Sequence, residues 1–366
     1  MAILRFLGPL CVGLALCGLA RAEAVPDTLK QPALAAARPQ GALLLGVARA
    51  GQRLVAVGER GLAVFSDDDG TTWRQARVPV GVSLTAVTFT SATTGWAVGH
   101  RGVILQTTDA GASWTRRLDG VQYAALAVAQ ARAAAASDPQ AARALKLAEA
   151  LQRDGADKPL FAVDFADERH GLAVGAYGLC ASTADAGATW SDCSPQLTNP
   201  DGLHLYAIAR HGSAVYVVGE QGLALRGDSA RPADRFQPLK VPSPTSLFFV
   251  AVDRGGDVVA GGLHGTAFAM HAADVAFEPL RSDTQAALTG AVHRRDGQLA
   301  LVAQSGQVLR YDPAGRQLVA WPTPPLPPLS DATESASGRL VAVGVRGVHP
   351  IDLPNVPNVP PSRAHP

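Results

Sequence analysis

The chain has 366 residues, enough for one large domain or two to three ordinary ones, and only 17% of them are charged. Glycine (37) and proline (26) are plentiful, which suits many short strands and tight turns better than long helices. A formal charge of +1 gives no electrostatic ground for a nucleic-acid partner or a polybasic membrane anchor.

Residues 1–22 read as an export signal. Arg5 supplies the positive start, Phe6–Leu19 is apolar, and Ala20-Arg21-Ala22 fits the small-x-small cleavage rule. The alternative is an uncleaved anchor, but the run is short for a span. Cys11 and Cys17 each follow a leucine, where a lipid-attachment signal wants a small residue. Cleavage near Ala22 takes Arg5 and Arg21 from 32 basic residues, leaving 30 against 31 acidic ones. No later segment is apolar enough to span a membrane, so the expectation is a near-neutral, soluble, monomeric periplasmic protein.

After an Ala- and Pro-rich stretch (23–40), one unit recurs. It is clearest in Trp96–Trp114, two short strands joined by a Gly99-x-x-Gly102 turn and followed by Thr107-x-Asp109-x-Gly111-x-x-Trp114. Val55–Trp73 and Leu172–Trp190 repeat it with the same spacing, the tryptophan fifteen residues after the first glycine. Beyond Trp190 the second turn decays but the strand frame persists. Taking Ala303 as a substituted glycine, the first-glycine positions are 58, 99, 175, 219, 262, 303 and 344. They recur at intervals of 41 to 44 residues, apart from one of 76. Seven units of that period, each with room for four short strands, predict an all-β seven-bladed propeller over 23–353. The alternative is a β-solenoid or sandwich.

The long interval holds residues 121–158, where the composition changes. Tyr123–Ala136 is nearly pure alanine. Asp138-Pro139 is an N-cap followed by proline at the first helical position, Leu147 and Leu151 share a face, and Gly155 is a stop. This predicts a helical hairpin inserted between blades two and three. Trp321–Leu329 is a proline-rich connector between blades six and seven. The last unit stops near Ile351 after three strands and runs into a Pro-rich, disordered tail, 354–366. A ring must close, so part of 24–46 is expected to supply the outer strand of blade seven.

The turns Ser66-x-Asp68-x-Gly70-x-x-Trp73, Thr107–Trp114 and Thr183-x-Asp185-x-Gly187-x-x-Trp190 are Asp-boxes. Their aspartates suit acceptance of turn N–H groups, their glycines positive φ, and their tryptophans packing beside the next strand. That reading makes them structural rather than catalytic. Cys180 and Cys193 sit symmetrically about the third of these hairpins and face each other in register, which an oxidising compartment turns into a disulfide. Two buried free thiols are the alternative.

Gly-Trp-Ala-Val-Gly-x-x-Gly followed by an Asp-box resembles the photosystem II stability/assembly factor family of plants and cyanobacteria and its relatives in non-photosynthetic bacteria. The resemblance runs over about 54–190 and as a decayed frame to 347. It implies a seven-bladed propeller without catalytic activity that assists assembly of a membrane complex. The expectation for this chain is a partner-binding accessory factor with no cofactor, which in a non-photosynthetic host would serve an envelope transporter. The inserted hairpin and the degenerate later blades depart from the family pattern.

Strand parity locates the face to inspect. Turns between second and third strands share a face with the blade-to-blade connections, hence with the inserted hairpin; the Asp-boxes lie opposite. The residue before the second glycine is Arg60, Arg101, Tyr177, Gln221, His264, Ser305 and Arg346 around the ring. The three arginines fall on blades one, two and seven, consecutive once the ring closes, a seat for a carboxylate or an acidic protein segment. The resemblance carries partner binding to Arg60, Arg101 and Arg346, with Tyr177 and His264 on the same rim. Solvated turn arginines, partly offset by Glu59, are the alternative.

The competing function is a carbohydrate-binding or sialidase-like Asp-box propeller. A sialidase needs a Phe-Arg-Ile-Pro-like start, which is absent, and its arginine triad cannot be assembled here. His100, His204, His211 and His264 lack metal-ligand spacing, and no phosphate loop or nucleophile elbow stands out.

Overall fold

The computed structural model describes residues 27–135, 139–231 and 234–354. The export signal, Asp138 as a helix cap and the tail beyond Pro354 lie outside the described residues. The strands form seven sheets whose inner strands follow one another around a ring: Leu44–Ala50, Leu84–Phe89, Leu160–Phe165, Leu205–His211, Leu247–Val252, Leu288–His293 and Leu329–Glu334. The last packs against the first and closes the circle. The chain is a seven-bladed propeller. Each blade runs outward as an antiparallel meander, and its second strand is buried end to end (for example Gly95–Gly99 and Gly171–Gly175) or in all but its first residue (Arg53–Gly58, Ala214–Gly219 and Asp257–Gly262) because neighbouring blades cover both its faces.

Two blades depart from four strands. Blade six has five, because Arg281–Ser282, on the way in from blade five, pairs parallel to the outer strand Gln317–Trp321. Trp321 therefore ends a strand, and the proline connector begins after it. Blade seven has three among the described residues, Leu329–Glu334, Leu340–Gly344 and Gly347–Ile351.

Among the described residues of 24–46, which begin at residue 27, no strand joins blade seven as the expected fourth. Leu44–Ala50 is already the inner strand of blade one, paired with Arg53–Gly58. Pro39–Gly41 forms a single 3-10 turn led by a proline with no N–H to give a ladder. That turn nevertheless closes the ring at another level. In blade one a Cβ on the second turn glycine, Gly61, would lie 2.0 Å from the carbonyl oxygen of Val80 in the exit connection. In blade seven a Cβ on the equivalent Gly347 would lie 1.8 Å from the Gln40 carbonyl oxygen. The N-terminal segment thus takes the place of an exit connection rather than of a strand. Two side-chain links complete the seam: the Val47 N–H donates to Asp331 Oδ2 (3.0 Å), and the Ser337 N–H to Asp69 Oδ1 (3.2 Å).

The insertion is two helices, α1 (Gly120–Ala135) and α2 (Pro139–Asp154). Asp119 and Gln122 form a reciprocal capping box: Asp119 Oδ1 accepts from the Val121 and Gln122 N–H groups, and Gln122 Oε1 accepts from the Asp119 N–H. The Tyr123 hydroxyl is buried against blade three, its single proton within reach of two acceptors, Asp192 Oδ1 (2.7 Å) and the Cys180 carbonyl (3.1 Å). Burial, with the Asp192 charge beside it, pushes that phenol well above its usual pKa. Leu151 packs into the same cluster, whereas Leu147 is 63% exposed, so the shared face expected for the pair is only partly used.

Candidate functional site: the channel mouth beside the helical hairpin

The Asp-box turns account for their own carboxylates. Asp68 accepts from the Ser66 hydroxyl (2.8 Å), the Thr72 N–H (2.8 Å) and the Thr72 hydroxyl (2.5 Å), and Asp109 and Asp185 repeat the pattern with Ser113 and Thr189. Bonds from Thr72 and Thr189 hold Asp68 and Asp185 down at about 2. At Asp109 burial opposes the fall, but the bonds from Ser113 and Thr107 prevail. The Trp73 and Trp114 indole N–H groups close the turns onto Gly70 and Gly111 carbonyls. A carboxylate so held is fixed in its turn and kept ionised, with no proton to offer a substrate. Cys180 and Cys193 form a disulfide one register step beyond the Ala181–Asp192 pair, with Cα atoms 5.0 Å apart.

The opposite face is built by one repeated device. In each blade the residue after the first turn glycine donates its N–H to the carbonyl just before the inner strand, as His100 to Ser83 (2.8 Å) and Glu220 to His204 (2.8 Å). This pins the turn over the mouth of the central channel. In blades one to five the turn is a three-residue 3-10 loop whose middle residue lies in the left-handed region: Arg60, Arg101, Tyr177, Gln221 and His264, at φ 52–59°. Ser305 and Arg346 sit in turns of another shape without that strain; Gly344 pairs directly with Gly347, leaving Val345–Arg346 as a two-residue hairpin loop.

The three arginines separate on inspection. Arg101 is held on three sides: its guanidinium donates to the Ala156 carbonyl (2.9 Å), Asp27 Oδ1 (2.9 Å) and the Thr28 hydroxyl (3.4 Å). It clamps the N-terminal segment to the end of α2. Arg60 and Arg346 are exposed, and among the described residues neither guanidinium has an ion-pair partner. His264 is likewise exposed on blade five.

Tyr177, 63% exposed, leads into something the turn residues alone do not reveal. Every inner strand carries a bulge after its opening leucine, between Leu160 and Ala162 in blade three and Leu205 and Ala207 in blade four, and likewise around the ring. A bulge re-aims the extra side chain. The bulged residues are Leu45, Thr85, Phe161, Tyr206, Phe248, Thr289 and Ser330. Three consecutive blades thus present aromatics, and the rings touch: Phe161 to Tyr206 at 5.4 Å, Tyr206 to Phe248 at 5.2 Å, with His204 joining Phe161 (6.3 Å) and Tyr177 (4.8 Å). The result is a half-buried aromatic wall across blades three to five. The Tyr177 N–H donates to His204 Nδ1 (2.9 Å), so the imidazole proton sits on Nε2. Glu220 lies against this wall, accepting from the His204 N–H (3.1 Å); burial, with the Glu220 charge adding to it, raises the pKa of the Tyr206 phenol. The 4.0 Å approach of His204 Nδ1 to Glu220 is no ion pair, because that nitrogen is already an acceptor. Sequence reasoning missed the wall; aligning the seven copies on the inner-strand leucine exposes it.

Beyond Tyr177 a cleft of about 660 Å³ opens between α2 and the 194–202 connection, with Leu147, Ala148, Leu151 and Leu179 among its apolar lining residues. Lys158 stands over the Tyr177 ring (5.2 Å) and is held by Asp154 and Asp157, whose bonds raise its pKa. Among the described residues no group of three or more His, Cys, Asp or Glu is placed to hold a metal, and no helix is long and apolar enough to cross a membrane.

The repeat, the Asp-boxes and the pinned turns can now be set beside known proteins. Residues 49–130 match the family of the photosynthesis system II assembly factor YCF48. Solved structures agree on the ring. A YCF48 structure bound to D1 peptide superposes with a TM-score of 0.61 at 15% identity, covering 89% of this chain and 100% of that one. YCF48 from Cyanidioschyzon merolae gives 0.59 at 15% identity, covering 85% and 95%. The WD40 repeats of RRP9 give 0.63 at 10% identity over 90% and 99%, so the overlay with YCF48 reports the propeller fold and the family signature resides in 49–130. Curated protein sequences gave no match.

Proposed function

We propose that this is an exported, non-enzymatic propeller that binds a protein segment of a membrane complex and assists the assembly or operation of that complex. The observation that carries the reading is the pair Arg60 and Arg346, exposed on neighbouring blades of the pinned-turn face, neither guanidinium engaged in an ion pair among the described residues. A guanidinium outside any ion pair suits bidentate capture of a carboxylate. The YCF48 match over 49–130 supports the partner class, since a YCF48 propeller has been solved with D1 peptide. The sequence signal over 1–22 supports a periplasmic location, and in a non-photosynthetic host the complex would be an envelope transporter. The carboxylates of the Asp-boxes, each satisfied within its own turn, speak against glycoside hydrolysis.

The test is capture from detergent-solubilised envelope, with crosslinking and identification of the partner. Arg60→Ala with Arg346→Ala is expected to lower capture about tenfold or more while the melting curve stays within a degree or two of wild type. Arg101→Ala is expected to act through stability instead, because that side chain is a clamp. Undiminished capture by the double variant would remove these arginines from the interface.

A further inference from the structure

The aromatic wall calls for an occupant of opposite chemistry to the one the arginines attract. Its rings are half-exposed, continuous over three blades and present negative faces. The carboxylate set against it, Glu220, accepts from the His204 backbone N–H and, among the described residues, forms no ion pair with a lysine or arginine. Lys158 already illustrates the preference, lying over the Tyr177 ring at the outer end of the same wall. Aromatic faces with an uncompensated carboxylate attract a guanidinium or an alkylammonium.

We infer that the channel mouth over blades three to five, formed by Phe161, Tyr206, Phe248 and Glu220, is a docking site for a basic side chain of the partner segment. This rests on the reading that the face meets a protein segment, and it adds polarity to it. Arg60 and Arg346 on blades one and seven take the acidic part of the segment, and the wall takes an arginine or lysine. A partner bound this way crosses the mouth in one orientation only.

The experiment uses the mature chain and two probes, acetylated tetra-arginine amide and its neutral isostere, acetylated tetra-citrulline amide, titrated by calorimetry at low salt. Saturable binding of tetra-arginine is expected, with tetra-citrulline weaker by about tenfold or more. Glu220→Gln and Tyr206→Leu are each expected to weaken tetra-arginine by roughly five- to tenfold. Both side chains are partly solvent-accessible, and a melting curve run alongside confirms that each variant folds. Arg60→Ala with Arg346→Ala is expected to leave this binding intact or tighten it, so the two halves of the face fail separately. Equal affinity for both probes, no saturable tetra-arginine binding, or full affinity in Glu220→Gln would each overturn the assignment. So would chitotetraose binding that Tyr206→Leu abolishes and Glu220→Gln does not, which would make the wall a sugar platform.

Discussion

Replacing Asp331 by asparagine is expected to change how the ring responds to pH. In six blades the residue after the inner-strand bulge is Gly46, Ala86, Ala162, Ala207, Phe249 or Gly290; in blade seven it is Asp331. The carboxyl lies at the closing seam, close to Gly290 of blade six on one side and accepting the Val47 N–H of blade one on the other. Surrounding protein pushes its pKa from 3.8 up to about 7, against the pull of the Val47 and Ala332 N–H bonds. A carboxyl whose folded pKa lies above its unfolded one holds a proton that the unfolded chain releases. Stability therefore falls as pH rises from about 4 to about 7 and then levels off. The full shift would correspond to roughly 4 kcal/mol. Asp331 keeps part of its surface accessible, however, and water there screens the charge, so about 2 kcal/mol between pH 5 and pH 8 is the expected loss.

The assay is guanidinium unfolding of wild type and Asp331→Asn at both pH values. Asparagine offers one carbonyl acceptor to two N–H donors, so the informative quantity is the difference in pH slope rather than absolute stability. Burial lowers the pKa of His293 and His349, and such groups cost stability as pH falls below 6.5; both proteins share that slope and it cancels. Parallel pH profiles for the two proteins would refute the reasoning.

A Cβ at Gly187 would lie 2.1 Å from the Trp96 ring at φ +72°, so Gly187→Ala is expected to destabilise by more than about 3 kcal/mol in thermal or chemical unfolding. Gly212 has φ +58° but open space, and alanine there is expected to cost only about 1 kcal/mol; equal losses at the two sites would contradict the packing argument. Cys180→Ser with Cys193→Ser opens a link between residues 13 apart in sequence and is expected to cost about 3 kcal/mol. Mass spectrometry of native protein, alkylated without reductant, should show no modified cysteine, and two modified thiols would contradict the link.

The propeller was legible because its warrants are periodic. A glycine pair three residues apart recurs wherever a turn must meet a neighbouring backbone, and no other residue type fits such an approach as Gly61 makes to the Val80 carbonyl. The inserted helices were legible from alanine content and Gly155, which ends α2 with φ +82°. What the copies share could be read; what distinguishes one copy from another often could not. Arg60, Arg101 and Arg346 are the same residue at the same repeat position. Yet one is a clamp on Asp27 and Ala156 while the other two are in no ion pair among the described residues, because only the folded chain brings residues 27 and 156 beside blade two.

Ring closure divides along the same line. The chain order by itself determined seven units, their outward meander, the hairpin after blade two and the opposition of Asp-boxes to pinned turns, since all follow from period and strand parity. Only the tertiary structure decided how blade seven meets blade one. Leu44–Ala50 has its own partner strand within blade one, and the seam is left to Gln40, Asp331 and Asp69. The aromatic wall belongs to that second class as well. Phe161, Tyr206 and Phe248 stand more than forty residues apart in sequence and become one surface because a bulge turns each toward the channel mouth and the ring sets the three blades side by side.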